Sequence, residues 1–223
     1  MINHHPSPAL LQQFAEGSLP ASIAIGIAIH NQMCPQCRNE VELLTQQQAQ
    51  TEFSSFALEP AQAHGSPSLS DMLDGILNSQ DSAEPLPKAS IAPQTLEVRG
   101  QRFPMPLPLR QVKLNPWRNL GKLTRASLDL DEGKVHSHLL LMEPGGEVPC
   151  HTHKGYEITL ILEGSFEDEM GRYQKGDFIY LDAQHNHQPK TKEGCLCYTV
   201  ADDALHFTRG VHRLFNPIGS LLY

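Results

Sequence analysis

The chain has 223 residues, 39% of them hydrophobic, and a formal net charge of −8, enough length for two domains that each bury a core. The longest apolar run, Ser22 to Ile29, falls far short of the roughly 20 residues needed to span a bilayer. An acidic balance also repels the phosphate backbone, which argues against a direct nucleic-acid binder.

The charge is unevenly placed. Residues 1–84 carry nine acids against a single base, Arg38, whereas residues 85–223 are balanced. Such a face steers a basic protein toward it, although a merely solubilising surface accounts for the same charge. Met1 is followed by polar residues and histidines rather than by a basic stretch and an apolar core, so no signal peptide is expected. Five cysteines, an odd number, suit a reducing cytoplasm where thiols act as ligands or sensors.

In chain order, Ser7 is placed to cap a helix through ALLQQFAEG, with Leu10, Leu11 and Phe14 on one face and Gly17 as its stop. Pro20 suits the first turn of a second helix, ASIAIGIAIHNQ, ending near His30. A third runs from Pro35 through CRNEVELLTQQQAQ, with Val41 and Leu44 sharing a face. After a break at 54–67, SLSDMLDGILNSQ carries Leu69, Met72, Leu73, Ile76 and Leu77 as an amphipathic stripe. That stripe packs on its own domain or docks on a partner. Prolines 85, 87, 93, 104, 106 and 108 exclude a helix and mark a linker. From about Thr95 onward, short apolar runs separated by Gly-, Asp- and Pro-bearing turns predict an antiparallel sandwich or barrel.

The most specific chemistry of that half lies in GGEVPCHTHKGYEITLILEG. On a strand, His151 and His153 point to one side, Glu157 shares their parity, and His187 can join from a neighbouring strand. Three imidazoles and a carboxylate suit zinc, manganese, iron or nickel. The pair His136 and His138 lacks a carboxylate at that distance, and His185 competes with His187 on parity alone. The stretch resembles a cupin. Gly145, His151, His153, Glu157 and Gly164 meet the first cupin motif in full. The second is half met: Gly176 and His187 stand at the proper separation, but Asp182, Gln184 and Thr191 replace its usual proline, glycine and asparagine. Tyr156, Glu167, Asp168 and Tyr173 are candidates for an acid or base, and equally for surface or turn positions. Cys195 and Cys197 form a C-x-C on a later strand, a pair open to oxidation or simply two core thiols.

HNQMCPQC, residues 30–37, admits three readings. A CPQC redox pair wants a preceding strand, and a helical pattern precedes it here. Two core thiols would not require His30. As a metal site, His30, Cys34 and Cys37 converge from two helices, with a fourth ligand from His4 or His5, giving the Cys₂His₂ set of a closed structural zinc.

The motif H-x3-C-x2-C between helices, with an upstream histidine and a cupin-like second half, resembles the ChrR-type zinc-binding anti-sigma factors over essentially the whole chain. The resemblance implies that His5 joins His30, Cys34 and Cys37 on the zinc, and that Cys195 and Cys197 are the family's late cysteine pair. It implies a multidomain fold: a small all-α zinc-binding domain at 1–84, a Pro-rich linker at 85–94 and an all-β cupin (double-stranded β-helix, or jelly roll) at 95–223. It further implies a cytoplasmic regulator that sequesters an extracytoplasmic-function-type sigma factor one to one, with no catalytic residues. Release would follow oxidative stress, such as singlet oxygen, sensed by a cupin holding a second divalent metal, zinc foremost. The competing expectation is a metal-dependent cupin oxygenase or isomerase with an accessory zinc domain.

Overall fold

The computed structural model describes residues 1–55, 68–78, 94–152, 155–202 and 206–207. Among these residues four helices come first: α1 (Pro8–Ala15), α2 (Ala21–Met33), α3 (Pro35–Ser55) and α4 (Leu69–Asn78). Eleven strands follow: β1 (Thr95–Val98), β2 (Gln101–Pro104), β3 (Arg118–Leu120), β4 (Leu123–Ser127), β5 (His136–Met142), β6 (His151–Thr152), β7 (Tyr156–Glu167), β8 (Arg172–Gln174), β9 (Phe178–Asp182), β10 (Cys195–Ala201) and β11 (His206–Phe207). The all-α then all-β order matches the expected fold class. The boundary between the expected domains falls on residues outside those described.

Local chemistry sets the helix ends. The Ser7 hydroxyl accepts the Leu10 N–H and Pro8 opens the first turn of α1. Nothing in the sequence stops α2 at His30, so the helix runs three residues past the expected end. It closes only where Cys34, ahead of Pro35, turns extended while its N–H still reaches His30 O. Within the proline-rich stretch one 3-10 turn forms, Leu107–Leu109, despite the expected exclusion of helix. A short 3-10 turn tolerates Pro near its start, where the missing N–H has no partner to lose.

The main sheet runs β3-β4-β5-β10-β7-β8, with β9 also on β7, and every pair is antiparallel. Side chains alternate across it. On one face Leu139, Leu141, Ile158, Leu160, Leu196 and Tyr198 join a core shared with Leu11, Ile23, Ile27 and Ile29 of the helices. On the other face Met142, Ile161, Cys195 and Cys197 join Phe166, Tyr173, Ile179 and Leu181 inside the barrel. Burial on both faces explains why β5, β7 and β10 read as nearly continuous apolar runs instead of alternating.

Helix α2 is apolar on all sides because it lies between the other helices and the sheet. Gly26 permits this approach: a Cβ there would sit 3.3 Å from Tyr198 Cε1. Tyr198 in turn donates its hydroxyl to Ser22 O at 2.7 Å. The amino-terminal residues hold the turn between β8 and β9, where Asp177, fully buried, accepts the Asn3, His4 and Gln174 N–H groups. Gly176 in that turn has φ +91, and a Cβ would strike Ile2. Only glycine suits both demands.

Candidate metal centres

Two groups of side chains are placed to hold a metal ion. In the first, donor atoms of His5, His30, Cys34 and Cys37 all lie within 4.8 Å of one another. His30 stands in the last turn of α2, Cys34 caps it, and Cys37 lies in the first turn of α3. The sharp change of direction at Cys34 therefore turns both thiols toward the imidazole. His5 arrives from the amino terminus, with Nδ1 at 3.5 Å from Cys34 Sγ and 3.3 Å from Cys37 Sγ. His4 faces away, its Nδ1 at 3.5 Å from Asp177 Oδ2.

The protonation pattern suits a cation. His30 Nδ1 donates to Gly176 O at 2.8 Å, which leaves Nε2 as a lone pair. That Nε2 is buried with no hydrogen-bond partner among the described residues, a polar atom that costs free energy unless something occupies its lone pair. Burial, with His5 nearby, pulls the His30 pKa down to about 4 against the Gly176 hydrogen bond, so the ring is neutral. Burial and the adjacent Cys34 push the Cys37 thiol up to about 12. Two buried thiols ionise together only beside a positive charge, and the donor set fits tetrahedral zinc.

The second group is His151, Glu157 and His187. His151 on β6 and His187 exchange backbone hydrogen bonds at 3.1 Å, which sets them opposite each other, while Glu157 enters from β7. The two Nε2 atoms are 2.9 Å apart, and His187 Nε2 is 3.2 Å from Glu157 Oε2. Each ring is oriented from behind: His151 Nδ1 by Pro149 O at 2.7 Å, and His187 Nδ1 by the buried carboxylate of Asp168 at 3.2 Å. Burial lowers the His187 pKa, but Asp168 and Glu157 outweigh it and hold the imidazole up at about 9. The fourth expected member, His153, lies outside the described residues.

His185 is not part of the group. Its Nδ1 sits 2.7 Å from Asp182 Oδ1 in an exposed turn, where the same oxygen accepts the Gln184 N–H. This aspartate-centred turn does the bending expected of the missing proline and glycine. Thr191 ties its hydroxyl to Ser165 O and accepts the Gly194 N–H. Cys195 and Cys197 are buried with sulfurs 3.8 Å apart, and Cys197 lines a cavity shared with the second group.

Sequence reasoning did not find the supporting roles of Asp168, Gly176 and Asp177. Asp168 was only one of four open acid or base candidates, and nothing in its spacing aims it at His187. Gly176 was visible as a motif glycine, but the use of its carbonyl depends on contact between the two halves of the chain.

Away from both centres, the apolar face of α4 is exposed: Leu69 is 81% exposed and Leu77 73%. No helix of the described residues is long and apolar enough to cross a membrane.

Residues 109–204 match the ChrR cupin-like domain family. The chain is 30% identical over 233 aligned positions to the anti-sigma-E factor ChrR of Cereibacter sphaeroides, covering 97% of each. Among solved structures, a chain in the Rhodobacter sphaeroides complex of SigE with the anti-sigma ChrR superposes with a TM-score of 0.63 at 28% identity. That match covers 91% of this chain and 100% of the other.

Proposed function

The chain belongs to the ChrR family of anti-sigma factors, and we propose that in the cytoplasm it sequesters an extracytoplasmic-function sigma factor and releases it under oxidative stress. The observation that supports this reading is α4, an amphipathic helix whose apolar face is exposed. Leu69, Met72, Leu73, Ile76 and Leu77 form an i, i+3, i+4 row of anchors for a partner groove. Asp71 and Asp74, in the acidic first third of the chain, suit a basic rim around that groove.

In this reading residues 1–84 form the binding unit, folded around zinc on His5, His30, Cys34 and Cys37. After the linker at 85–94, residues 95–223 form a sensor with a second divalent metal on His151, His153, Glu157 and His187. Cys195 and Cys197 receive the oxidant, and a route to the helices leads through the next residue, Tyr198, to Ser22 of α2. Hydrogen bonding to Cys195 and burial raise the Cys197 pKa and keep the thiol in its less reactive protonated form; the cavity that Cys197 lines is the route by which an oxidant would reach it. Among the described residues that line the cavity, the carboxylate of Glu157 belongs to the metal group.

The test is co-purification and in vitro transcription with the full chain and a cognate sigma factor. Wild type is expected to bind and inhibit, and Leu73→Glu with Ile76→Glu to lose both without loss of zinc. Full inhibition by that double variant would sink the reading. Changing Cys195 and Cys197 to Ala is expected to keep inhibition but block release by singlet oxygen, and unaltered release would reduce the pair to packing.

A further inference from the structure

We propose that the amino-terminal strap, residues 1–6, is a clasp that the metal of the first group closes. Occupation of that group fastens the strap and the α2–α3 junction to the β8–β9 turn of the barrel, and loss of the metal lets them part. The proposal rests on the reading that His5, His30, Cys34 and Cys37 hold zinc. It is independent of which protein α4 binds and of thiol oxidation as the signal.

The strap carries neither helix nor strand, and chain ends of that kind fray unless something ties them down. Here the ties fall in three places. Residues 1–4 lie on the turn between β8 and β9. Gln174 Nε2 donates to Met1 O, the Asn3 and His4 N–H groups donate to Asp177 Oδ1, and the Phe178 N–H donates to His4 O at 3.0 Å. The His4 ring also packs edge-on against Tyr173 of β8, with centroids 4.8 Å apart. Next along the chain His5 joins the metal group, Pro6 is buried and Ser7 caps α1.

The same turn reaches a second ligand. Gly176 O accepts the His30 Nδ1–H at 2.8 Å, so residues 176–178 orient His30 directly and His5 through its neighbour His4. The other two donors, Cys34 and Cys37, are set by the bend between α2 and α3. A metal on all four therefore gains from having the barrel turn and the helix junction together. With His5 pinned, residues 1–4 are held beside Asp177 at high effective concentration. With His5 released, a free chain end must make each of those hydrogen bonds against its full conformational entropy. Coupling of this kind is reciprocal: the factor by which the metal tightens the strap is the factor by which the docked strap tightens the metal.

The test is amide hydrogen exchange by NMR on the full-length chain, with zinc and after its removal by a chelator, with the metal content of each sample read by atomic absorption. Zinc is expected to slow exchange at Asn3, His4 and Phe178 by at least about tenfold, while the β5 and β10 amides inside the main sheet change by less than about twofold. Asp168→Asn weakens the second group and so separates the two metals: one equivalent of zinc should still give the full slowing. Asn3→Pro removes an N–H donated to Asp177 and should weaken zinc at the first group by about tenfold in a chelator competition. Asn3→Ala keeps that N–H and should bind zinc as the wild type does. The proposal is overturned by unchanged exchange at the three amides in zinc-loaded protein, by loss of the slowing in Asp168→Asn, by equal slowing throughout the sheet, or by equal zinc affinity of Asn3→Pro and Asn3→Ala. Protein that takes up no zinc at the first group overturns the reading beneath it as well, and the metal content tells that failure from the others.

Discussion

Replacing Asp177 with Ala should loosen the amino terminus from the sheet and, through it, the first metal group. The carboxylate is 0% exposed; Oδ1 accepts the Asn3 N–H at 2.7 Å and the His4 N–H at 3.1 Å, and Oδ2 accepts the Gln174 N–H at 2.9 Å. Hydrogen bonds to a charged acceptor contribute about 1.5–3 kcal/mol each. Asn3 and His4 are exposed enough to be rehydrated once the carboxylate is gone, so the expected loss is about 3 kcal/mol rather than the full sum. Asp177→Asn keeps one oxygen for Asn3 and His4 but turns an amide toward the Gln174 N–H, and should cost about half as much. Burial raises the Asp177 pKa, yet the three backbone donors outweigh it and leave it below the ordinary value. A depressed folded-state pKa means the stabilisation is complete above the unfolded value of about 3.9 and is lost as pH falls through the folded one. The gap between wild type and Asp177→Ala should therefore stay constant from about pH 5 to 8 and narrow below about pH 4. Urea unfolding followed by circular dichroism reads the gap, and a chromogenic chelator reads zinc release, which should be faster in the variant because His5 follows the loosened His4. A variant within about 0.5 kcal/mol of wild type, the usual range for inert surface changes, with unaltered zinc release, would refute this account.

Cys34→Ser and His30→Ala should each lower zinc content by about one equivalent per chain, measured by atomic absorption, because the donor set closes only with all four members. Asp168→Asn should weaken metal binding at the second group by about 10- to 100-fold in a chelator competition, since Asp168 orients His187 without touching the ion's position. Tyr198→Phe deletes the buried hydrogen bond to Ser22 O and should lower the urea midpoint by the equivalent of about 1–2 kcal/mol.

The helices and most long strands were legible because their signals are local. A cap at Ser7, a breaker at Pro35 and apolar runs between turn residues need no knowledge of distant parts. The metal groups were legible to the extent that ligands cluster in sequence: His30, Cys34 and Cys37 fall within eight residues. His5 was not fixed by spacing, since His4 is equally near. The choice rests on Asp177, which is 173 residues from His4 and takes that neighbour for itself. The same kind of distance hid the shared core. Ile23, Ile27 and Ile29 read as an ordinary apolar helix, and nothing local indicates that the sheet as well as the other helices shares their core. The Pro/Gly turn missing from the second cupin motif was likewise unreadable, because an aspartate side chain makes the bend through contacts that composition does not reveal.

The shared core restricts how a partner can engage the helices. Ile23, Ile27 and Ile29 are 7%, 0% and 1% exposed, and burying one such side chain contributes about 1.5–3 kcal/mol. Taking α2 out of that core would forfeit about 5–9 kcal/mol on those three alone, before the Tyr198–Ser22 and His30–Gly176 hydrogen bonds are counted. A partner that uses α4 meets no such penalty, because that face is already exposed. One that also needs the covered face of α2 must supply the difference, or wait for a change in β10 that weakens the contact first. Cys195, Cys197 and Tyr198 lie on that one strand, with the thiols turned to the barrel interior and the tyrosine to α2. A distortion that starts at the sulfurs therefore reaches α2 within one residue of backbone.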